Sequence, residues 1–85
     1  MPEVILLKRH TANVPLGFKI QGGQDFSIPL SLLEVTPNSL ADQVGLRPGD
    51  AILKIGNMDT TWMEHNRAKQ EIMNAGNEFW LTIER

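Results

Sequence analysis

Cysteine is absent from this 85-residue chain, which excludes disulfides and thiolate metal sites and leaves a small core to stand without staples. The same absence favours a reducing, intracellular setting. No run of about 18 apolar residues occurs, the length a membrane-spanning helix needs. The opening Met-Pro-Glu-Val-Ile-Leu-Leu lacks a basic leader, and its apolar stretch is too short for a secretory signal. Asn-x-Ser/Thr sites, repeats and low-complexity tracts are also missing. Basic charge is not in excess: 8 Lys and Arg against 10 Asp and Glu give a net charge of −2, with both signs interspersed. That balance argues against a general binder of nucleic-acid phosphates.

The signatures of catalysis are equally scarce. His10 and His65 are the only histidines, and there is no Gly-x-Ser-x-Gly elbow or phosphate loop. Glu64 and His65 are neighbours on a predicted helix, a spacing that does not bring two metal ligands to one face. Gly22-Gly23 lacks the third glycine and the following helix of a dinucleotide site. Acidic residues are scattered without a paired-carboxylate setting. The reading is a non-enzyme that needs no cofactor.

What is present is the patterning of one packed domain over residues 1–85. Hydrophobic residues make up 41% of the chain, enough for a core rather than disorder. Val4 to Leu7 reads as a first strand, with apolar residues at both parities. A polar connection follows, Lys8 to Val14. Leu16, Phe18 and Ile20 alternate with Gly17, Lys19 and Gln21, the period of a half-buried strand. Gly22-Gly23 is expected to break it. A third strand is expected over Leu30 to Val35, between Pro29 and Pro37. Ser39-Leu40-Ala41-Asp42 reads as the start of a short helix, since Gly45 arrives within two turns.

Arg47-Pro48-Gly49-Asp50 is a turn, and Ala51 to Ile55 a buried strand ended by Gly56-Asn57. A longer helix reaches Ala75, with Gly76 at its left-handed cap. Its start is open. Thr61-Trp62-Met63-Glu64 fits a capping box that begins the helix at Trp62, and a start near Glu64 fits as well. Phe79, Leu81 and Ile83 then alternate with Trp80, Thr82 and Glu84 in a closing strand, placing Trp80 on its outer side. Met58 and Met73 are read as packing or surface residues without a role. The expected class is α+β, mainly β: a five- or six-stranded antiparallel sandwich or partly open barrel capped by two helices.

One segment carries chemistry. In Pro15-Leu16-Gly17-Phe18, three successive backbone N–H groups belong to Leu16, Gly17 and Phe18, whereas Pro15 has none. The central glycine allows conformations closed to other residues and a close approach of a ligand to the backbone. Converging N–H groups make a nest suited to a carboxylate. Taken alone, a Pro-x-Gly is most often a simple turn.

Leu16-Gly17-Phe18, followed by Ile20, Gly22-Gly23, Leu46-Arg47-Pro48-Gly49-Asp50 and Ile52-Leu53-Lys54-Ile55-Gly56, resembles a PDZ domain across nearly the whole chain. Gly22-Gly23-Gln24-Asp25-Phe26 and Ile28-Pro29-Leu30 further resemble the N-terminal PDZ domain of the PDZ-LIM proteins, the ALP/Enigma/Zasp group. The chain departs from that group at Leu16, where an aromatic is usual. The resemblance implies that a C-terminal peptide tail adds as a strand between the second strand and the second helix. Leu16, Gly17 and Phe18 would then hold its terminal carboxylate. Leu16, Phe18, Ile20 and Ile72 would line the pocket for the last side chain, which is expected to be apolar.

His65, Ala68, Lys69 and Ile72 share one face of the second helix by spacing. The resemblance places His65 at the first position of that helix, where a histidine selects Ser or Thr at the third residue from the ligand's end. A neutral imidazole nitrogen can bond that hydroxyl. Lys19 and Lys69 flank the groove and are expected to favour an acidic ligand residue through rim electrostatics. The implied biology is a cytoplasmic scaffold or adaptor, associated with the actin cytoskeleton through α-actinin, as at muscle Z-discs. The chain would be a monomeric domain of a larger protein whose LIM domains lie elsewhere. Rival readings are a regulatory module of a larger enzyme such as a protease, a dimerisation surface and a lipid-headgroup binder, the last weakened by the acidic balance.

Overall fold

The computed structural model describes residues 2–85. Its strands and helices follow in the order β1 (Pro2–Lys8), β2 (Phe18–Gly23), β3 (Ile28–Val35), α1 (Leu40–Gln43), β4 (Ala51–Ile55), β5 (Met58–Asp59), α2 (His65–Asn74) and β6 (Glu78–Glu84). A single 3₁₀ turn, Gln24–Phe26, joins β2 to β3. The strands form one open antiparallel sheet in the order β1-β6-β4-β3-β2, with β5 paired to β4. The expected class, a six-stranded antiparallel fold with two helices, is the one observed.

Alternation sets the core. In β6 the odd residues Phe79, Leu81 and Ile83 are buried, and Trp80 on the other parity is half-exposed. β1 resolves its two-parity ambiguity by pairing with β6, Leu7 opposite Phe79 and Leu6 opposite Trp80. Leu7 is wholly buried, whereas Val4 faces outward. Leu30 and Leu32 from β3, and Ile52 and Ile55 from β4, complete the sheet's share of the core, and Ala68 and Ile72 of α2 cover it. Burial of these side chains is the main favourable term.

The Arg47-Pro48-Gly49-Asp50 turn is closed by Asp50, whose Oδ2 accepts the Arg47 N–H at 3.0 Å. Asp50 is itself buried, and its Oδ1 accepts from Arg85 Nε at 3.3 Å. α1 starts as the sequence reads, because the Ser39 hydroxyl accepts the Asp42 N–H at 3.2 Å.

Two boundaries differ from the sequence reading, and a third, open there, is decided. The second strand ends with Gly22-Gly23 rather than before it: both residues belong to β2, at φ +82° and +127°, with a register shift against β3. The glycines make a bulge at the strand's end. β3 begins earlier than Leu30, at Ile28, and takes in Pro29. Of the two starts open for α2, the one near Glu64 is observed: the helix begins at His65 and not at Trp62. Glu64 is its N-cap residue and makes no side-chain cap bond, while Thr61 bonds instead to Asp59 through its N–H at 2.7 Å. Gly76, at φ +84°, follows the helix as expected. The short β5 was not foreseen.

Candidate functional site

A groove of about 800 Å³ runs between β2 and α2, with the Pro15–Phe18 segment at one end. Leu16, Gly17, Phe18, Lys19, Ile20, His65, Lys69 and Ile72, the residues singled out from sequence, all line it. Ala68, on the same helix face, is instead fully buried in the core beneath.

The loop is built so that its amides face outward. Leu16 C=O accepts the Ala41 N–H of α1 at 2.9 Å, and Gly17 C=O accepts the Thr36 N–H at 2.8 Å. A trans peptide unit points its N–H opposite to its carbonyl. With both carbonyls anchored to the domain, the N–H groups of Gly17 and Phe18 point away from it. Among the described residues, the Leu16 and Gly17 N–H groups have no acceptor. Gly17 sits at φ +90°, and a Cβ there would overlap the side chain of Ser39, so the loop can approach α1 only without one.

The ladder continues this outward presentation. Thr36 bonding to Gly17 makes Phe18 and Val35 a non-hydrogen-bonded pair, so Phe18 turns its backbone groups to the free edge. Leu32, opposite Ile20, spends its own N–H on Asp50 C=O and its C=O on the Gly49 N–H. Ile20 therefore faces the free edge too. The exposed margin of β2 thus offers paired donors and acceptors at Phe18 and Ile20, beside an apolar slot formed by Leu16, Phe18, Ile20 and Ile72.

Charge in the groove is of one sign. Arg9, Lys19 and Lys69 line it, and no Asp or Glu does, in a chain of net charge −2. Arg9 was not found from sequence. Its guanidinium donates to Val14 C=O at 2.9 Å, to Asn77 Oδ1 at 3.2 Å and to Gly76 C=O at 3.4 Å, tying the β1–β2 loop to the end of α2. Nothing in the polar stretch around it marks that long-range role.

Met73, read from sequence as having no site role, also lines the groove, as does Leu33. Met73 lies four residues beyond Lys69 on α2, so the helical period carried that signal. Trp62 stands exposed beside a second, smaller hollow of about 490 Å³ bordered by β3 and β4, whose lining shares no residue with the groove.

His65 is half-buried at the far end from the loop. Its Nδ1 lies 2.8 Å from Gly22 C=O. A carbonyl only accepts, so Nδ1 carries a proton, and in the uncharged form of the ring Nε2 is then an acceptor. Among the described residues no group of His, Asp and Glu is gathered to hold a metal. No helix there is long and apolar enough to cross a membrane.

Known proteins resemble this chain. The chain is 42% identical over 81 residues to the PDZ and LIM domain protein Zasp of Drosophila melanogaster, covering 95% of this chain and 4% of that protein. It is 38% identical over 85 residues to human PDZ and LIM domain protein 3, covering all of this chain and 22% of that one. It thus spans less than a quarter of these curated relatives. Among solved structures, the second PDZ domain of Dlg1 from the choanoflagellate Monosiga brevicollis superposes with a TM-score of 0.90 at 30% identity, covering 100% of this chain and 99% of that one. A choanoflagellate SHANK1 PDZ domain, solved bound to a GIRK3 peptide, superposes with a TM-score of 0.87 at 21% identity, covering 100% and 92% of the two chains. The family model for the PDZ domain matches residues 4–84, and the chain belongs to the PDZ domain family.

Proposed function

We propose that this domain is a non-enzymatic interaction module that captures the C-terminal tails of other proteins, with ends of the form Ser/Thr-x-hydrophobic. The tail adds as a further antiparallel strand to β2, under α2. Its terminal carboxylate sits on the N–H groups of Leu16, Gly17 and Phe18, and its last side chain fills the slot of Leu16, Phe18, Ile20 and Ile72. Nε2 of His65 accepts a hydrogen bond from the Ser or Thr hydroxyl, and Lys19 and Lys69 favour an acidic neighbour.

The observation that supports this most is the loop itself: the Leu16 and Gly17 carbonyls are anchored inward while, among the described residues, the Leu16 and Gly17 N–H groups have no acceptor, in a groove whose charged lining residues are all cations. Such a nest is matched to an anion at the end of an extended chain. Peptide capture is within reach of this fold, since the SHANK1 neighbour was solved with a peptide bound.

The likeness to PDZ-LIM proteins extends the reading to the longer chain: a monomeric domain of a cytoplasmic scaffold on the actin cytoskeleton, with α-actinin as its partner. Titration with a labelled peptide ending in Thr-x-Leu tests the module. A free-acid peptide is expected to bind with a Kd on the order of micromolar, about −8 kcal/mol. The amidated peptide is expected not to bind. Equal affinity for acid and amide overturns carboxylate capture.

A further inference from the structure

The end of the groove away from the carboxylate loop is closed by the chain itself. The Gln24–Phe26 turn is fastened to the start of α2 by two hydrogen bonds. Gln24 N–H donates to Met63 C=O at 2.8 Å, and His65 N–H donates to Asp25 Oδ1 at 2.9 Å. The Phe26 ring meets the His65 imidazole edge-on, at 5.7 Å between centroids and 90° between planes. Gly22 C=O takes the Nδ1 proton. The fit is close enough that a Cβ at Gly23 would lie 2.6 Å from the His65 backbone nitrogen. The imidazole is thus held on two sides, by Gly22 and Phe26, and Asp25 fixes the backbone that carries it; these residues precede it by some forty positions and do not line the groove.

A free imidazole interconverts between two tautomers and several side-chain rotamers. Each wrong one presents the ligand with a donor, or with nothing, in place of an acceptor. A hydroxyl can donate to one tautomer and accept from the other, but it bonds the ring only in the rotamer that brings Nε2 to it, so an unfixed ring spends most of its time in arrangements that lose the bond. The contacts of Gly22 and Phe26 with the ring, on a backbone held by Asp25, remove the alternatives before any ligand arrives, as in a preorganised site.

We propose that Asp25 and Phe26 are positioning residues for His65: the β2–β3 turn is a clasp that fixes one tautomer and one orientation of the ring, and the groove's choice of Ser or Thr depends on it. This rests on the tail-capture reading above. The clasp acts on selectivity and not on general affinity, because neither residue reaches the carboxylate loop or the apolar slot.

Two readouts test it. The first compares free-acid peptides ending in Thr-x-Leu and Val-x-Leu, which differ by a hydroxyl for a methyl. The intact domain is expected to favour the Thr peptide about fivefold to tenfold, the worth of one neutral hydrogen bond. Asp25→Ala and Phe26→Ala are each expected to bring the ratio to about twofold, with the Val peptide's affinity unchanged. Asp25→Asn, which keeps an acceptor for the His65 N–H, is expected to retain the ratio. A merely structural loss would weaken both peptides alike.

The second readout is the ring-nitrogen correlation spectrum of His65 with no peptide present, at a pH where imidazole is uncharged. It is expected to show one Nδ1–H tautomer in the intact domain and a mixture in the two alanine variants. A single tautomer together with an undiminished Thr/Val ratio in both variants overturns the clasp. Equal binding of amidated and free-acid Thr peptides instead overturns the tail-capture reading. The spectrum, which needs no peptide, still decides whether the clasp fixes the ring.

Discussion

Gly17 and Gly49 separate two reasons for glycine. Both sit in the left-handed region, at φ +90° and +92°, where a side chain is strained whatever the space around it. A Cβ at Gly49 would meet nothing within 4 Å, so Gly49→Ala is expected to cost only the backbone term, about 1–2 kcal/mol. A Cβ at Gly17 would collide with Ser39, which also caps α1. Relief requires the loop to lift from α1, breaking the bonds that anchor the Leu16 and Gly17 carbonyls and re-aiming the amides. Gly17→Ala is therefore expected to cost more than about 2 kcal/mol and to lose peptide binding. Gly49→Ala is expected to bind at full affinity. Urea denaturation and peptide titration of the two variants make the comparison, and equal effects on binding would remove the loop from the site.

At the scale of elements, α2 shows where local sequence stops being informative. Thr61-Trp62-Met63-Glu64 has the form of a capping box, but the helix begins after Glu64, a poor N-cap that makes no side-chain bond. The missing local cap is replaced from afar, by Asp25 accepting the N–H of His65. No short-range pattern announces a cap supplied by another loop. At β2 the error is smaller, because the two glycines read as a break are themselves the last residues of the strand, buried at positive φ beside a register shift. What was legible is what alternation and spacing dictate: the core parity of β6, the turn closed by Asp50, the outward face of β2, and the slot residues named through the family likeness. Arg9 and Met73 were missed, the first because its partners lie across the fold. Asp25 satisfies only the first helical amide, so a better local N-cap remains available. Glu64→Ser is expected to stabilise the domain by about 0.5–1 kcal/mol, read as a shift in the urea midpoint, with peptide affinity unchanged because Glu64 does not line the groove.

The whole molecule is an open sheet with two free margins, and under the proposed function only one of them, β2, receives a strand. The Arg9 N–H donates to Asn77 C=O, which makes Arg9 and the odd residues of β1 the ones bonded toward β6. Val4, Leu6 and Lys8 therefore face the outer edge, and Pro2 beside them has no N–H to give. α2 packs along β2 and not along β1. A peptide on β1 would gain main-chain bonds but no second wall, no apolar slot and no nest for its carboxylate. On β2 it gains all three. Amide hydrogen exchange distinguishes the margins residue by residue. Without ligand, Val4, Leu6, Lys8, Phe18 and Ile20 are expected to exchange fast, and Ile5 and Leu7 slowly. A saturating tail peptide is expected to slow Gly17, Phe18 and Ile20, and to leave Val4 and Leu6 as they were. Protection arriving at Val4 and Leu6 instead would place the added strand on the opposite margin. The groove would then be a feature of packing, and the orientation of its amides would have to be explained without a ligand.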